Sequence, residues 1–383
     1  MFVKENIESN SFPSVEAMLA SCRHETPICC LRQERIKNNA RFFARTFPGK
    51  VLYAVKCNPH PLVLDACYTG GIKDFDVASL EEVKLVHARC SSSTLYFQHP
   101  VKARSAIRNS YGRYGLRHFS VDHHRELSKL VDEIMDTNGV TIYVRLGTPP
   151  GGASEHLSGK FGASIEETVS LLKEVDNVGC KAALSFHVGS QCYDPRAYRT
   201  ALSIIDETIR RARIPIVAFD VGGGFPASYP NMSAPPLAEY IRTIVEGASS
   251  LPLGQETMLM CEPGRAIVAD GMSVVTKVYL RRDDRLYIND GIFGSFAESS
   301  FNLFELPARL IKTDGLIGKG SKAFTIFGPT CDSNDQLPQA VSLPDNVCEG
   351  DWIEFSLLGA YSNALSTNFN GFGPRRFVNI EES

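Results

Sequence analysis

The chain has 383 residues, a net charge of −3, 43% hydrophobic and 22% charged residues. That composition suits a globular protein with a large core and length enough for two domains, and it offers no basic footprint for nucleic acid or an anionic membrane. No apolar run reaches bilayer-spanning length, so no membrane span is expected.

The N-terminal segment MFVKENIESNSFPSVEAM lacks the apolar centre of a signal peptide, and a cytoplasmic protein is expected. The 11 cysteines include no CxxC pair, and the nine histidines show no HExxH arrangement. Reduced thiols and no metal site follow from those spacings.

From about residue 28 to residue 268, short apolar runs alternate with amphipathic helical ones. VLYAVKC precedes PLVLDACYTG, and DFDVAS precedes SLEEVKLVHARC, in which Leu80, Val83 and Val86 share one helical face. TLYFQ, HFSVD, TIYVRLG, AALSFHVGS, IVAFDVGGG and TMLMCEPGR continue the series. Eight such units predict parallel strands with helical crossovers, either a barrel or a doubly wound sheet. The polar, glycine-rich stretch 147–159 predicts a mobile loop. After about residue 270, SVVTKVYLRR, RLYINDG, KAFTIFGPT and DWIEFSLLG predict a separate, mostly antiparallel β domain. There is no internal repeat.

Polar residues collect at the C-terminal ends of the predicted strands: Lys56, Asp76, Arg145, His187, Gly222–Gly224 and Glu262. In a parallel barrel that end carries the active site. Lys56 ends an apolar run, where burial would lower its pKa toward the nucleophilic amine that forms a Schiff base with a carbonyl. The alternative is a strand-end lysine with its head in water. Three successive glycines can bring backbone N–H groups onto a phosphate, although a tight turn needs them too. Glu262 and Arg265 could serve a pyridine nitrogen and a phosphate, or form an ion pair with each other. His187 could stack on a flat ring with Ser190 beside it, or be a hydrogen-bonded core residue. Cys331, Asp332 and Tyr361 lie in tight late loops, as a thiol acid, an ammonium partner and a phosphate ligand, or as structural residues.

Taken in order, YAVKCN, FDVAS, SFHVGS, GGGFP, EPGR, NDGIFGSF, GPTCDSND and GAYSNALSTNFNGF resemble the ornithine decarboxylase-like, fold-type III pyridoxal phosphate decarboxylases, from about residue 28 to the C-terminus. The resemblance implies an alanine-racemase-like (β/α)8 barrel over 28–268, with residues 269–383 and the segment 1–27 forming a β-sheet domain. It implies pyridoxal 5'-phosphate held by Lys56, with Glu262 on the pyridine nitrogen and His187 on the ring. Ser190, Gly223, Gly224, Arg265 and Tyr361 would hold the phosphate, and Asp76, Glu82 and Arg145 would support the lysine and ring. Cys331 would protonate the α-carbon. Asp332 would bind the distal ammonium, with Phe369 and either Asn302 or Glu305 near the substrate's far end. In the family Cys331 and Asp332 come from the partner subunit, so a homodimer with shared sites is implied.

The pattern has departures. Phe293 replaces the tyrosine of NDGVYGSF, and AESSFNLFELPARL lacks the aspartate that serves the distal amine in the family. The implied activity is decarboxylation of a basic L-amino acid, ornithine foremost and lysine or arginine as alternatives, to a diamine or polyamine precursor. Rival readings are a decarboxylase of carboxynorspermidine or diaminopimelate, a non-catalytic regulatory homologue that binds a partner protein, and a racemase. Asp332 stands where diaminopimelate enzymes carry glutamate, and a racemase would need a second base that Cys331 does not obviously supply.

Overall fold

The computed structural model describes residues 11–21, 25–149, 153–155, 159–254, 256–301, 304–313, 315–373 and 375–381. The chain divides into two compact units. One is Asn38–Ala227 with Ala234–Ala266; the other comprises the residues up to Lys37, Ser228–Ser233 and Ile267 onward.

In the first unit, eight barrel strands alternate with helices. The series runs β1 (Lys50–Ala54), α1 (Pro61–Thr69), β2 (Asp74–Val77), α2 (Leu80–Arg89), β3 (Thr94–Phe97), α3 (Arg104–Gly112), β4 (His118–Val121) and α4 (His124–Glu133). It continues with β5 (Thr141–Arg145), α5 (Ile165–Asn177), β6 (Lys181–Ser185), α6 (Arg196–Ala212), β7 (Ala218–Asp220), α7 (Leu237–Ser249) and β8 (Met258–Cys261). Among the described residues the eight strands close into a barrel in sequence order, every neighbouring pair parallel. The barrel alternative is therefore the one realised.

The local reasons are visible in the sequence. On α6, Tyr198, Leu202, Ile205 and Ile209 are buried at three- and four-residue spacing, which makes one apolar face. Ser164 and Glu167 form a reciprocal capping box that starts α5. Inside the barrel, Leu52, Tyr96, Tyr143 and Met260 fill the space left by the small Ala183 and Ala218. Burying a large apolar side chain contributes about 1.5–3 kcal/mol. A barrel filled in this way is a core rather than a pore, so chemistry is confined to its rim.

The second unit is a mixed sheet. Its order is Ser11–Phe12, Arg376–Ile380, Ile28–Leu31, Met272–Arg282, Arg285–Ile288, Ser321–Phe327 and Val341–Pro344, with Trp352–Phe355 joining Met272–Arg282 to Ala308–Ile311. Antiparallel pairs outnumber parallel ones. Val15, Met18, Ile28, Val275, Trp352 and Val378 pack together beneath it. The buried Glu354 carboxylate accepts from Arg32 Nη2 at 2.9 Å, Ser273 Oγ at 2.5 Å and Arg309 Nε at 2.6 Å, so its charge is satisfied.

The division between units differs from the expected one at residue 28. Ile28–Leu31 pairs with Met272–Arg282 and Arg376–Ile380, because its buried backbone needs ladder partners on both edges. Within the predicted loop 147–159, Ala153–Glu155 is a short strand paired with Ser190–Cys192, and residues 150–152 and 156–158 lie outside the described residues.

Candidate active site

β1 ends at Ala54, and the chain then turns through Val55–Cys57 in a single 3-10 turn. Ala54 and Asp76 are register partners in β1 and β2, so Asp76 stands beside the exit of β1. Lys56 Nζ donates to Asp76 Oδ2 at 2.7 Å. Asp76 is 2% exposed, but the Lys56 side chain is 41% exposed. The expectation of a buried lysine ammonium is thus corrected: the turn lifts Lys56 off the sheet, and a buried carboxylate anchors its head at the rim. An amine held this way is accessible to a carbonyl while its orientation stays fixed.

Glu82, in the first turn of α2, accepts from the Ala78 N–H at 2.6 Å, and burial followed by the charge of nearby Asp76 pushes its carboxyl up. Arg145 ends β5 with its guanidinium carbon 5.6 Å from the Phe161 ring centre. His187 lies just beyond β6 rather than inside it. Its Nδ1 accepts from the Gly189 N–H at 3.0 Å, and its backbone carbonyl accepts from Thr148 Oγ1 at 2.9 Å. Burial, reinforced by the cations Arg145 and Lys56, holds its imidazole well below the usual range, so the ring is neutral.

The three glycines after β7 are required by geometry. Gly222 and Gly224 have φ of +68° and +103°, in the left-handed region. A Cβ on Gly223 would lie 2.7 Å from the Glu262 carbonyl oxygen and 3.0 Å from His187 Nε2. Backbone therefore replaces side chain where His187 and Glu262 converge. Arg265 Nη2 donates to Ser190 Oγ at 3.3 Å, joining two of the expected phosphate ligands.

Glu262, just past β8, and Asp220, the last residue of β7, are both buried, and each carboxyl feels the other. Burial first, then the charges of Asp220 and Asp76, push the Glu262 carboxyl well above its usual range, against the opposing pull of Lys56 and Arg145. Burial pushes Asp220 up to about 7. Asp220 was not among the residues singled out, although a carboxylate inside the apolar run IVAFDVGGG was a usable signal. Gln98, beyond β3, was missed as well; its Nε2 donates to Asp220 Oδ2 at 3.3 Å.

The barrel unit thus gathers Lys56, Asp76, Glu82, Arg145, His187, Ser190, Gly223, Gly224, Glu262 and Arg265 around its C-terminal rim. Tyr361, Cys331, Asp332, Glu305 and Phe369 belong to the other unit. There the Cys331 thiol is exposed, and the Cys331 N–H donates to Asn370 Oδ1 at 3.1 Å. Asp332 Oδ1 accepts from the Asn334 N–H at 2.8 Å, and Glu305 is exposed, its N–H on Asn231 Oδ1 at 3.1 Å. Phe369 is 40% exposed and its ring lies 5.0 Å from that of Phe293. Asn302 lies outside the described residues.

These residues fit pyridoxal phosphate on three structural grounds. A lysine head is held at the rim, a glycine cradle leaves no room for a Cβ, and a buried carboxyl pair can face a ring nitrogen. They define a barrel built to carry that cofactor.

The family profile for the pyridoxal-dependent decarboxylase, pyridoxal binding domain, matches residues 33–269. The chain belongs to this family of fold-type III, pyridoxal phosphate-dependent amino-acid decarboxylases. It is 32% identical over 363 residues to an ornithine decarboxylase of Schizosaccharomyces pombe, covering 89% of this chain and 80% of that relative. Antizyme inhibitor 2 of Xenopus laevis is 30% identical over 360 residues, with 88% and 77% covered. The crystal structure of a lysine/ornithine decarboxylase from Vibrio vulnificus complexed with cadaverine superposes with a TM-score of 0.83 at 29% identity, covering 97% of this chain and 100% of that one. Among the described residues no helix is long and apolar enough to cross a membrane.

Proposed function

We propose that the chain decarboxylates a basic L-amino acid, ornithine foremost and lysine or arginine as alternatives, releasing CO2 and a diamine or polyamine precursor. The observation that carries this reading is the Lys56–Asp76 pair at the barrel rim, beside the Glu262–Asp220 carboxyls. When bound, pyridoxal phosphate supplies an electron sink for the charge left on the α-carbon as CO2 departs. Lys56 would hold the cofactor, with Asp76 keeping its head oriented. Glu262 would hold the ring nitrogen, and the neutral His187 would stack on the ring. Ser190, Gly223, Gly224, Arg265 and Tyr361 take the phosphate, and Glu82 and Arg145 brace the lysine side. Cys331 delivers a proton to the α-carbon, while Asp332, with Glu305, Asn302 and Phe369, receives the distal end. A homodimer in which Cys331 and Asp332 complete the partner's site accords with this assignment.

Likeness to an antizyme inhibitor favours a second reading, a regulatory protein that binds a partner without turnover. The retained Lys56, His187, Glu262, Arg265, Cys331 and Asp332 weigh against it. The test is CO2 release over ornithine, lysine, arginine, 2,4-diaminobutyrate, diaminopimelate and carboxynorspermidine, with visible absorbance recorded on adding pyridoxal phosphate. Turnover confined to the basic substrates is expected. A cofactor absorbance band without CO2 from any substrate removes the catalytic reading.

A further inference from the structure

β7 and β8 end side by side, with Asp220 and Met260 in register and the Glu262 N–H on the Gly222 carbonyl at 2.8 Å, so the buried Asp220 and Glu262 stand at neighbouring strand ends. Asp220 is fully buried, yet each of its oxygens has a fixed donor: the Gly222 N–H at 2.8 Å on Oδ1 and Gln98 Nε2 at 3.3 Å on Oδ2. The other side of the Gln98 amide, Oε1, is buried without a hydrogen-bond partner among the described residues, so the contact with Asp220 is what orients that side chain. None of these bonds is needed to close the barrel, whose strands are joined through backbone.

We propose that Asp220 is a positioning residue for the reaction: it shares one proton with Glu262 and, by accepting that proton, leaves Glu262 ionised against the ring nitrogen. Two neighbouring carboxyls out of water cannot both ionise, so the pair retains a proton that separate carboxylates would have lost. Above about pH 7 in the cofactor-free chain the one remaining proton sits on Glu262, and Asp220 takes up a second only as pH falls. When a protonated pyridine nitrogen meets Glu262, the proton moves across to Asp220. One proton stays on the pair before and after, and no further acid or base is consumed. The Gly222 N–H on Oδ1 favours the ionised form of Asp220, and Gln98 Nε2 donates to its other oxygen.

The charged groups facing Asp220 are Lys56 beyond β1, Asp76 on β2, Arg145 on β5 and Glu262 beyond β8. Tyr96, Tyr143 and Cys261, which also sense it, are kept neutral by burial. Against this background the Asp220 carboxyl is pushed up to about 7, from an unfolded value of about 4. A carboxyl raised by folding holds its proton in the native state but not in the unfolded one. Its contribution is therefore present at low pH and is lost as pH rises from about 4 to about 7.

The inference rests on the reading that Glu262 faces the ring nitrogen, and the test separates the two. The cofactor-free protein is unfolded with denaturant at each pH from 4 to 8 for wild type, Asp220→Asn and Gln98→Ala. Proton uptake and visible absorbance are then followed as pyridoxal phosphate is added. In wild type the Asp220 carboxyl raises the unfolding equilibrium constant by up to about tenfold per pH unit across the window. Asp220→Asn should lose that component, and its cofactor absorbance should lose the inflection near pH 7 while affinity stays within about threefold. Gln98→Ala should move the inflection without abolishing it, and it serves if the asparagine variant does not fold. An unchanged pH slope in Asp220→Asn overturns the shared proton. Glu262→Gln with unaltered cofactor affinity and absorbance removes Glu262 from the ring nitrogen, and leaves the slope to judge the proton alone.

Discussion

The barrel rim and the late loops of the β unit treat their reactive groups in opposite ways. At the rim, Asp76, Asp220 and Glu262 are buried, and each alters the ionisation of the next while Lys56 and Arg145 offset them. In the late loops Cys331 is exposed and Asp332 half-buried. The buried acid in the loops is Asp335, which accepts from the Ile292 N–H and the Thr330 N–H, both at 3.0 Å, and from Thr330 Oγ1 at 2.7 Å. One region places charges where low polarity makes them shift one another. The other uses its buried charge to fasten backbone and leaves its reactive side chains accessible. Substitutions at the rim should therefore disturb cofactor and protons, and those in the loops should disturb delivery of a proton and the fit of substrate.

The largest effect is expected from Lys56→Ala. Losing the nucleophile should lower kcat/KM by about a thousandfold or more on every substrate, measured as CO2 release. Turnover within tenfold of wild type would take Lys56 out of its assigned role. Cys331→Ala comes next. If it delivers the α-carbon proton, kcat should fall by about a hundredfold with KM little changed. Asp332→Ala should act the other way round, raising KM about tenfold or more for substrates with a distal amine, because a hydrogen bond to a charged group contributes about 1.5–3 kcal/mol. If both variants changed kcat and KM in the same ratio, the division of labour in the loop would be wrong.

The barrel was legible because each strand was a short apolar run closed by a turn and followed by a helical period. The rim residues could be found because polar side chains at strand ends contrast with apolar interiors. Other features were set by contacts far along the chain. Ile28–Leu31 reads like a further barrel strand, and only its partners near residues 272 and 376 assign it to the other sheet. Val341–Pro344 is four residues at a sheet edge, too short for periodicity to register. Asp220 was hidden by its setting in VAFDVGGG, where the glycines drew the reading, and its significance depends on Glu262 some forty residues later. Lys56 was singled out as a Schiff-base candidate on the expectation of a buried amine, and no pattern in Val51–Val55 foretells the 3-10 turn that turns it toward Asp76.

Asp335→Ala sharpens the loop side of the comparison without touching a reactive group. It leaves the Ile292 and Thr330 N–H groups and the Thr330 hydroxyl without their acceptor, which should reduce stability by about 1–3 kcal/mol in denaturant unfolding. Because those bonds sit just before Cys331, kcat should fall as well, while the cofactor absorbance stays that of wild type. A lost absorbance band would mean that Asp335 supports the cofactor rather than the loop.

The smallest effect, and the one that isolates the rim, concerns acid. His187 is neutral in the folded chain because burial, Arg145 and Lys56 all disfavour its charge. In the unfolded chain it takes up a proton near pH 6.5. A basic group depressed by folding contributes stability above that pH and loses it as pH falls. The cofactor-free wild type should thus lose up to about 1.4 kcal/mol per pH unit below 6.5 from this group. His187→Gln, which has no proton to gain, should lack that component, so unfolding curves of the two proteins should converge as the solution is acidified. Parallel curves from pH 7 to 5 would show that His187 charges in place, and that the rim is more open to water than its hydrogen bonds to Gly189 and Thr148 suggest.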